Sequence, residues 1–498
     1  MNILIVGNGF DLSHYLPTKY DHFMDVMKAI EEKQTGDKVN DLSIHTVNEW
    51  IEEIDKTFEK RKEQSDPNYS MDFDELFSRT RDPDFIKKTK DFYLTEQIQL
   101  SAKDVLKLQY RLELNCWYQY FKKHVNDVKT WIDFEQKIES ALTLAFKVIK
   151  KIHLKFEKYG KIDATIRNLT KTNSDKDDEK IYLSELDMDL LNKLELFILN
   201  SDYGKVTVSN FGSIADSRKG FINDNWFHVK GKTEYGFSSE KYISYLNRQL
   251  DEFIDIFNQY LELIVSQLES KNQFKIDADD WIFPKIIYSF NYTNTYKRFY
   301  QHKKAKTEFL HGSHGQEQNI VLGISDLEDE SLKKIKAYGF TKYHQKLFKD
   351  TDYLFLDEYK TRISNNEKAI DKLMKQYQRN IDINNDREIL MRMKKDIDLL
   401  EFNRKLNLYF YIWGHSLDIS DKDYIIDLFS LNDDLDRNVR VVVYYFDKNA
   451  KFALLNNLLA ILGKDKIEHW MKKDWLQFKE NPKITPENAI TLQDLPKL

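Results

Sequence analysis

The amino-terminal segment constrains the fold of this chain more than any other stretch. Residues 2–6, NILIV, form a short apolar run, and Gly7, Asn8 and Gly9 follow it directly. In open α/β sheets this order places a phosphate-bearing ligand at the carboxyl end of a strand, because glycine lets the backbone approach the ligand closely. The segment therefore predicts a nucleotide site at the edge of a parallel sheet, and a plain tight turn is the alternative.

Similar apolar runs recur further along the chain and define the expected fold. Their length and nearly continuous apolar character are typical of strands in a parallel sheet that is covered on both faces. The runs lie at 285–290, 308–310, 319–324, 407–414 and 438–446. We predict an α/β fold with a Rossmann-like, mainly parallel sheet. Residues 7–284 separate the first two runs, so this fold requires a large insertion.

The expected insertions are helical. Residues 239–270 place apolar side chains at steps of three and four, and residues 364–403 do so in two pieces that indicate a helical hairpin. The charged run 172–180 predicts a surface loop. The predicted organisation is a nucleotide-binding core from 1–35, 280–325 and 403–462, helical insertions at 36–279 and 326–402, and a carboxyl-terminal helical or loop segment at 463–498.

Composition narrows the class of protein. The chain has 498 residues, of which 41% are hydrophobic and 32% charged, and this balance is typical of a globular protein with a sizeable core. A formal net charge of -6 disfavours a nucleic-acid binder, which usually carries a basic surface. Cys116 is the only cysteine, which excludes an intrachain disulfide and a cysteine-rich zinc site. The sequence shows neither a signal-peptide pattern nor the run of ~20 apolar residues that crosses a bilayer. We therefore expect a cytoplasmic protein that is not inserted in a membrane.

The glycine loop does not match the sequence motifs of two common classes of nucleotide-binding protein. Leu12 occupies the place of the third glycine in the fingerprint of hydride-transferring enzymes, and no Gly-Lys-Ser/Thr sequence of ATPases occurs. We expect the following helix to begin near Thr18, which has capping-box spacing to Asp21. No spacing of histidines and carboxylates is typical of a metal site, so we predict no metal.

Polar or glycine-containing residues also follow three later strands of the predicted sheet. Asn291 begins one such loop, His311 and Gly312 form the second, and Gly414 opens the third. Because ligands of α/β sheets lie at the carboxyl ends of the strands, we expect these loops to converge on the glycine loop. His311 can then act as a general base near neutral pH, and a hydrogen-bonded structural histidine is the alternative.

Three other side chains have a functional and a structural interpretation. His415 either contacts the ligand or stabilises its own turn before a helix capped by Ser420 and Asp423. Asp133 and Glu135 lie two residues apart and cannot share a helix face, which disfavours a catalytic carboxylate pair. One of the two can still reach the site, and a solvated helix start is the alternative.

Six stretches of the sequence together resemble the AbiH family, bacterial abortive-infection proteins that act against bacteriophage. They are ILIVGNGFDLSHYLPTKYDHFM (3–24), TWIDFEQKI (130–138), SFNYTNTY (289–296), FLHG (309–312), NIVLGISD (319–326) and WGHSLDISDKD (413–423). The resemblance covers mainly the two ends of the chain and leaves out the long helical insertion. It implies an anti-phage effector.

The strand-end loops are also similar, more remotely, to the NAD site of sirtuins. This resemblance implies that Gly7 and Gly9 line the phosphates, that Asn291 lies on the nicotinamide side, and that His311 is catalytic together with Asn291. With the neighbours in the same loops, the expected contacts of NAD are Gly7, Asn8, Gly9, Phe10, Asp11, Thr293, Gly312, Gly414, His415 and Ser416. Two positions depart from the sirtuin pattern, since Asn8 replaces a small residue and Thr293 stands where sirtuins carry Asp.

Two functions from different classes are compatible with these features. The first is an enzyme that hydrolyses NAD at the bond between ribose and nicotinamide when a phage-derived trigger appears, and so halts the host cell. The second is a non-catalytic nucleotide-binding sensor or scaffold whose helical insertions engage a phage or host protein. A nuclease is disfavoured by the acidic balance and the missing carboxylate cluster, and homo-oligomerisation through the hairpin at 364–403 stays open.

Overall fold

The computed structural model describes twelve ranges and two single residues of the chain. They are 1–34, 52, 56, 69–124, 131–159, 183–199, 220–230, 233–277, 283–300, 305–327, 330–351, 354–383, 386–432 and 435–487. The predicted loop at 172–180 lies outside the described residues. The chain divides into two compact units, the first from Met1–Leu16, Ser270–Val321 and Lys346–Leu498, the second from Pro17–Glu269 and Leu322–Gln345.

A six-stranded sheet forms the centre of the first unit. Its strands are β1 Asn2–Val6, β2 Ile286–Ser289, β3 Lys306–Phe309, β4 Leu408–Trp413, β5 Val439–Tyr445 and β6 Leu476–Glu480. They lie in the order β3-β2-β1-β4-β5-β6, and every neighbouring pair is parallel. This is the strand order of doubly wound dinucleotide-binding folds, in which the order reverses between β1 and β4. The predicted α/β fold with a parallel sheet and helical insertions is confirmed.

Helices and two further strands complete the first unit. The helices are Asn8–Ser13, Thr295–Tyr300, Asp357–Ile383, Arg387–Phe402, Lys422–Ser430, Lys448–Leu462 and Lys464–Lys472, with a 3-10 turn at Ile419–Asp421. Strands Gln273–Asp277 and Lys483–Glu487 pair antiparallel. The core lies on the sheet, where Ile3, Phe410 and Val443 are fully buried. Both faces of the central strands are covered, which explains their nearly continuous apolar sequence.

The predicted helical hairpin is present as the pair Asp357–Ile383 and Arg387–Phe402. Asp386 begins the second helix by accepting hydrogen bonds from the backbone N–H groups of Glu388 and Ile389. Most side chains of the hairpin are exposed, and within its two helices only Tyr359, Ile370 and Ile397 are buried. The apolar side chains at these spacings therefore pack the two helices against each other and do not join them to a large core.

The second unit is predominantly helical. Its helices are Tyr20–Glu32, Phe73–Leu76, Pro83–Phe92, Ala102–Leu114, Cys116–Phe121, Trp131–Tyr159, Glu185–Lys193, Ser239–Tyr260 with a π-helical extension at Leu261–Val265, Glu330–Lys334 and Lys342–Phe348, whose last turn belongs to the first unit. Its two-stranded antiparallel sheets are Met71–Asp72 with Gln99–Leu100, Phe197–Leu199 with Gly220–Ile222, and Phe227–Lys230 with Thr233–Phe237. No helix within the described ranges combines the length and hydropathy that crossing a bilayer requires.

Aromatic rings hold the helices of the second unit together. Phe134 lies 4.1 Å from Phe121 and 5.2 Å from Phe253 between ring centroids. The apolar face predicted for the helix after residue 239 is confirmed, because every residue assigned to it is buried: Ile243, Leu246, Leu250, Phe253, Phe257, Tyr260, Ile264 and Leu268. In the same unit the Glu135 carboxylate forms a buried ion pair with Lys342 Nζ at 2.9 Å.

Two sequence interpretations near the glycine loop and in the middle of the chain were wrong. The helix expected near Thr18 begins at Tyr20, but Lys19 occupies the cap position and makes no side-chain hydrogen bond, so the capping role of Thr18 was wrong. A further short helix begins at Asn8, directly after Gly7. Residues 319–324 form no strand, although Ile320 and Leu322 are fully buried. The side chain of Gln345 instead bonds both the N–H and the carbonyl of Leu322, in place of a neighbouring strand.

The sixth strand lies where the sequence predicted helix and loop. Besides the helix Lys464–Lys472, the segment after residue 462 contains β6, which pairs with β5 at the edge of the sheet. In β6 the buried Leu476 alternates with the exposed Gln477, and the apolar run is too short to resemble a central strand. An edge strand needs only one covered side, and its sequence signal is correspondingly weak.

Candidate functional site

The reversal of strand order between β1 and β4 brings two glycine loops together. Gly7 N–H donates to the carbonyl of Trp413 at 3.0 Å, and Gly9 N–H donates to the carbonyl of Gly414 at 2.8 Å. A Cβ atom on Gly9 would lie 2.7 Å from the Gly414 Cα, and one on Gly7 would lie 2.5 Å from the His415 Cα. Both glycines are therefore required for the close packing of the two loops.

Gly414 has a second reason to be glycine. Its φ is +72°, in the left-handed region, and a Cβ there would lie 2.2 Å from the Phe10 backbone nitrogen. Leu417, three residues on, also has a positive φ of 53° although it carries a branched side chain. A loop that holds a non-glycine residue in this region must be fixed by its surroundings, and such positions cluster at functional sites.

Asp11 connects the glycine loop to the loop that follows β2. Its carboxylate accepts hydrogen bonds from Asn291 Nδ2 at 2.9 Å, from Thr295 Oγ1 at 2.6 Å and from the Thr293 hydroxyl. Asp11 is only 1% exposed. Burial raises the pKa of Asp11 from 3.8 to about 6, although the three hydrogen bonds and the positive charge of Arg298 oppose this shift.

A small cleft lies beside this network. Its cavity volume is only about 10 Å³, and it is lined by Asp11, Asn291, Asn294 and Tyr296 among others. Within the described part of the chain, the Asn291 Oδ1 atom is buried without a hydrogen-bond partner. An unpaired acceptor of this kind fits a ligand that carries an N–H group. The volume is below the ~300–1,000 Å³ of ordinary small-molecule sites, so a dinucleotide requires these loops to separate.

His311, which follows β3, meets the loop that follows β4. Its Nε2 lies 3.1 Å from Asp421 Oδ1, and His415 Nε2 lies 3.4 Å from Asp421 Oδ2. All three side chains are buried. The ring of Phe290 packs on both imidazoles, with centroid distances of 5.0 Å to His311 and 4.1 Å to His415. One carboxylate thus lies between two histidines at the carboxyl edge of the sheet.

Residues 3–445 match the family model described as Bacteriophage abortive infection AbiH. This chain belongs to the AbiH family. The matched range includes the glycine loop, the Asp11 network and the cluster of His311, Asp421 and His415, and the match supports an anti-phage role in abortive infection. Searches of curated proteins and of solved structures gave no match.

The four loops that the sequence predicted to converge in this AbiH chain do lie together. The individual residues of these loops make different contacts. Phe10 is buried and packs edge-on against Trp413 at 5.1 Å. Gly312 has a φ of +78°, and a Cβ there would collide with the Asn319 carbonyl at 2.0 Å. Asn8 is the first helical residue after the glycine, and Ser416 is exposed with its carbonyl bonded to Asn457 Nδ2 at 2.9 Å. Their assignment as NAD contacts stays a prediction.

Sequence reasoning on this AbiH chain missed Asp421 and Thr295. Asp421 lies in the stretch that resembled the family, but it was passed over for a cap by Ser420 and Asp423. The structure instead places Asp418 as the cap of the 3-10 turn Ile419–Asp421, where its carboxylate accepts a hydrogen bond from Ser420 N–H at 3.0 Å. Asp421 itself occupies the cap position of the helix Lys422–Ser430 and makes no side-chain capping bond there. The signal in the sequence that could have indicated Asp421 was its position six residues after His415, which follows the end of β4.

The site offers no obvious place for a metal. Among the described residues of the chain, no group of three or more histidine, cysteine, aspartate or glutamate side chains is arranged to hold an ion. The carboxylate of Asp11 is surrounded by hydroxyl and amide donors instead. The chemistry that these residues can perform is proton transfer and hydrogen bonding.

Proposed function

We propose that this AbiH chain acts as an abortive-infection effector by binding NAD or a related nucleotide at the carboxyl edge of the sheet and hydrolysing its N-glycosidic bond. The observation that carries this proposal is the contact between His311 and Asp421 beside the reversal point of the sheet. A carboxylate next to an imidazole stabilises the protonated form of the ring, and this favours the imidazole as a general base.

The choice of a nucleotide rests on the strand order. In open sheets with this order, ligands bind outside the carboxyl ends of the strands where the order reverses, here between β1 and β4. Asn291, with its buried carbonyl oxygen, and His311 both lie at this edge, at the ends of β2 and β3. The carboxylate that the sirtuin resemblance places at position 293 is supplied by Asp11, which Thr293 contacts.

The proposed reaction needs only water as a second reactant. The bond between the ribose carbon and the nicotinamide nitrogen breaks, the electron pair leaves with nicotinamide, and the water oxygen bonds to the ribose carbon. His311 takes the proton that the water loses. Such reactions pass through an oxocarbenium-like state, and a positioned base contributes roughly 10²- to 10⁴-fold to the rate.

The non-catalytic alternative has an observation of its own. The N–H groups of Gly7 and Gly9, which the nucleotide hypothesis assigns to phosphates, donate to the carbonyls of Trp413 and Gly414. A phosphate can reach them only after the two loops separate. A sensor that opens to bind a nucleotide and then engages a phage or host protein uses this closed arrangement without catalysis.

The deciding experiment measures nicotinamide release from NAD by the purified full-length chain, with and without a lysate of phage-infected cells as a source of the trigger. We expect release with the lysate, and a loss of about 100-fold or more in His311→Ala at an unchanged melting temperature. His469→Ala is the matched control, because His469 is exposed in the last turn of Lys464–Lys472. NAD binding without release, equal in both variants, supports the sensor and contradicts the enzyme.

A further inference from the structure

The two histidines on either side of Asp421 are held differently. The backbone N–H of Leu417 donates to His415 Nδ1 at 2.9 Å, whereas Asp421 faces His311 through Nε2. We propose that Asp421 is a positioning residue that supports proton transfer at His311, and that His415 anchors Asp421 from its other side. The role of this arrangement in turnover rests on the proposed function, but the arrangement itself does not.

The hydrogen bond from Leu417 fixes the tautomer of His415. A nitrogen that accepts an N–H bond carries no proton, so the proton of the neutral ring is on Nε2. His415 Nε2 lies 3.4 Å from Asp421 Oδ2. Protonating His415 on Nδ1 would break the bond to Leu417, which already occupies the strained left-handed region with a φ of 53°. His415 is therefore built as a donor to Asp421.

A carboxylate anchored on one side presents its other oxygen in a fixed position. Asp421 Oδ1 faces His311 Nε2 at 3.1 Å, so an added proton on His311 is stabilised by the adjacent negative charge. Phe290 covers both rings and limits the water that would weaken this attraction. The cluster thus contains one proton acceptor, His311, one carboxylate beside it, Asp421, and one anchor for that carboxylate, His415.

Other titratable and charged groups of the described chain lie around this cluster. Tyr424 of the helix Lys422–Ser430 has its ring 6.3 Å from His311, and Lys346 Nζ lies 4.2 Å from the Tyr424 ring. Asp418 lies in the same loop, but its carboxylate accepts from Ser420 N–H. Lys422 and Asp423 follow on the exposed surface. Asp421 Oδ1, at 3.1 Å from His311 Nε2, is the negative charge that this geometry assigns to stabilising a protonated His311.

The test uses the full-length chain labelled with ¹³C and ¹⁵N in its histidines, with the two signals assigned from His311→Gln and His415→Asn. We expect the ¹⁵N shifts of His415 to show a proton on Nε2 and none on Nδ1. We also expect Asp421→Asn to move the midpoint of the His311 titration to lower pH by about one unit or more. Asp418→Asn is the matched control and should leave that midpoint in place.

Either of two results overturns the proposal. One is a His415 ring protonated on Nδ1 in the unmodified chain, a measurement that does not depend on any variant folding. The other is a His311 midpoint that Asp421→Asn leaves unchanged, or that Asp418→Asn moves equally. The expected shifts in a chain that releases no nicotinamide would contradict the proposed NAD hydrolysis while supporting this arrangement, so the two failures are distinguishable.

Discussion

Thr293 donates a hydrogen bond to the carboxylate of Asp11 across 282 residues of sequence. This contact joins the glycine loop after β1 to the loop after β2, and both side chains are buried. A buried carboxylate with a raised pKa is costly to keep ionised, and its retention in a cleft at the carboxyl edge of a parallel sheet is typical of functional sites. The contact also makes four predictions about this region testable.

The first prediction concerns the hydrogen bond itself. Thr293→Val keeps the shape of the side chain but removes the hydroxyl that stabilises the Asp11 carboxylate. We expect the free energy of unfolding to fall by about 1.5–3 kcal/mol at pH 8, where Asp11 is ionised, and by less at pH 4.5, where it is protonated. Urea unfolding at the two pH values measures the difference.

Thr89→Val is the matched control for this exchange. Thr89 is also fully buried, but its hydroxyl donates to the backbone carbonyl of Phe85 at 3.2 Å, a group that does not titrate. Its loss in stability should be the same at both pH values. An equal loss at both pH values in Thr293→Val would show that the Asp11 carboxylate does not depend on this hydroxyl.

The second prediction is that removing the charge of Asp11 stabilises the fold. In Asp11→Asn the amide oxygen can accept from Asn291 and Thr295, while the amide N–H group donates to the Thr293 hydroxyl. The rise of the pKa from 3.8 to about 6 means that the folded state loses stability as the pH rises through this window, by about 3 kcal/mol in total. Relative to the parent, Asp11→Asn should therefore gain about that amount between pH 4 and pH 7.

Thermal or urea unfolding across this pH range, together with phage protection, tests the second prediction. A variant that is more stable at pH 8 and yet unprotective identifies Asp11 as a group retained for function at the expense of stability. A stability difference that stays constant from pH 4 to pH 7 would contradict the raised pKa.

His14, in the helix that follows the glycine loop, makes the stability of the fold depend on pH in the direction opposite to Asp11. Its Nδ1 lies 2.7 Å from the Phe10 carbonyl and its Nε2 lies 2.6 Å from the Tyr300 hydroxyl. Burial lowers the pKa of His14 from 6.5 to about 4, so its contribution to stability is present above pH 6.5 and is lost as the pH falls toward 4, by about 3 kcal/mol.

The third prediction follows from this sign. His14→Asn retains an N–H group for the Phe10 carbonyl but cannot be protonated. The variant should be less stable than the parent at pH 7.5, and this deficit should shrink by about 3 kcal/mol as the pH falls to 4. Urea unfolding of both chains measures it, with the exposed His469→Asn as the control that shows no such trend. A deficit independent of pH would mean that His14 is not buried in its neutral form.

The sequence predicted those parts of the site that depend on local patterns. The apolar run Asn2–Val6 before Gly7 specified β1 and the loop after it, because strand and glycine are adjacent. The pairing of Asp421 with His311 was not predictable, since it depends on which strand ends become neighbours in the sheet. The run at 319–324 was wrongly predicted as a strand because it is buried like one, whereas the backbone N–H and carbonyl of Leu322 bond to the Gln345 side chain instead of a neighbouring strand.

The last prediction separates the two reasons for glycine at position 414. Gly414 and Gly463 both have positive φ, +72° and +80°, but only Gly414 has backbone atoms where a Cβ would lie, with Phe10 N at 2.2 Å and Gly9 C at 2.4 Å. Among the residues that the structure describes, no atom lies within 4 Å of a Cβ on Gly463. Gly463→Ala therefore measures the backbone strain alone, roughly 1–3 kcal/mol. Gly414→Ala should cost about 1–3 kcal/mol more because it forces the two loops apart.

Urea unfolding of the two variants gives this difference, and nucleotide binding by Gly414→Ala reports whether separated loops expose the N–H groups of Gly7 and Gly9. Equal losses of stability in the two variants would show that the close approach of the loops contributes nothing, and the glycine would then be explained by its φ alone.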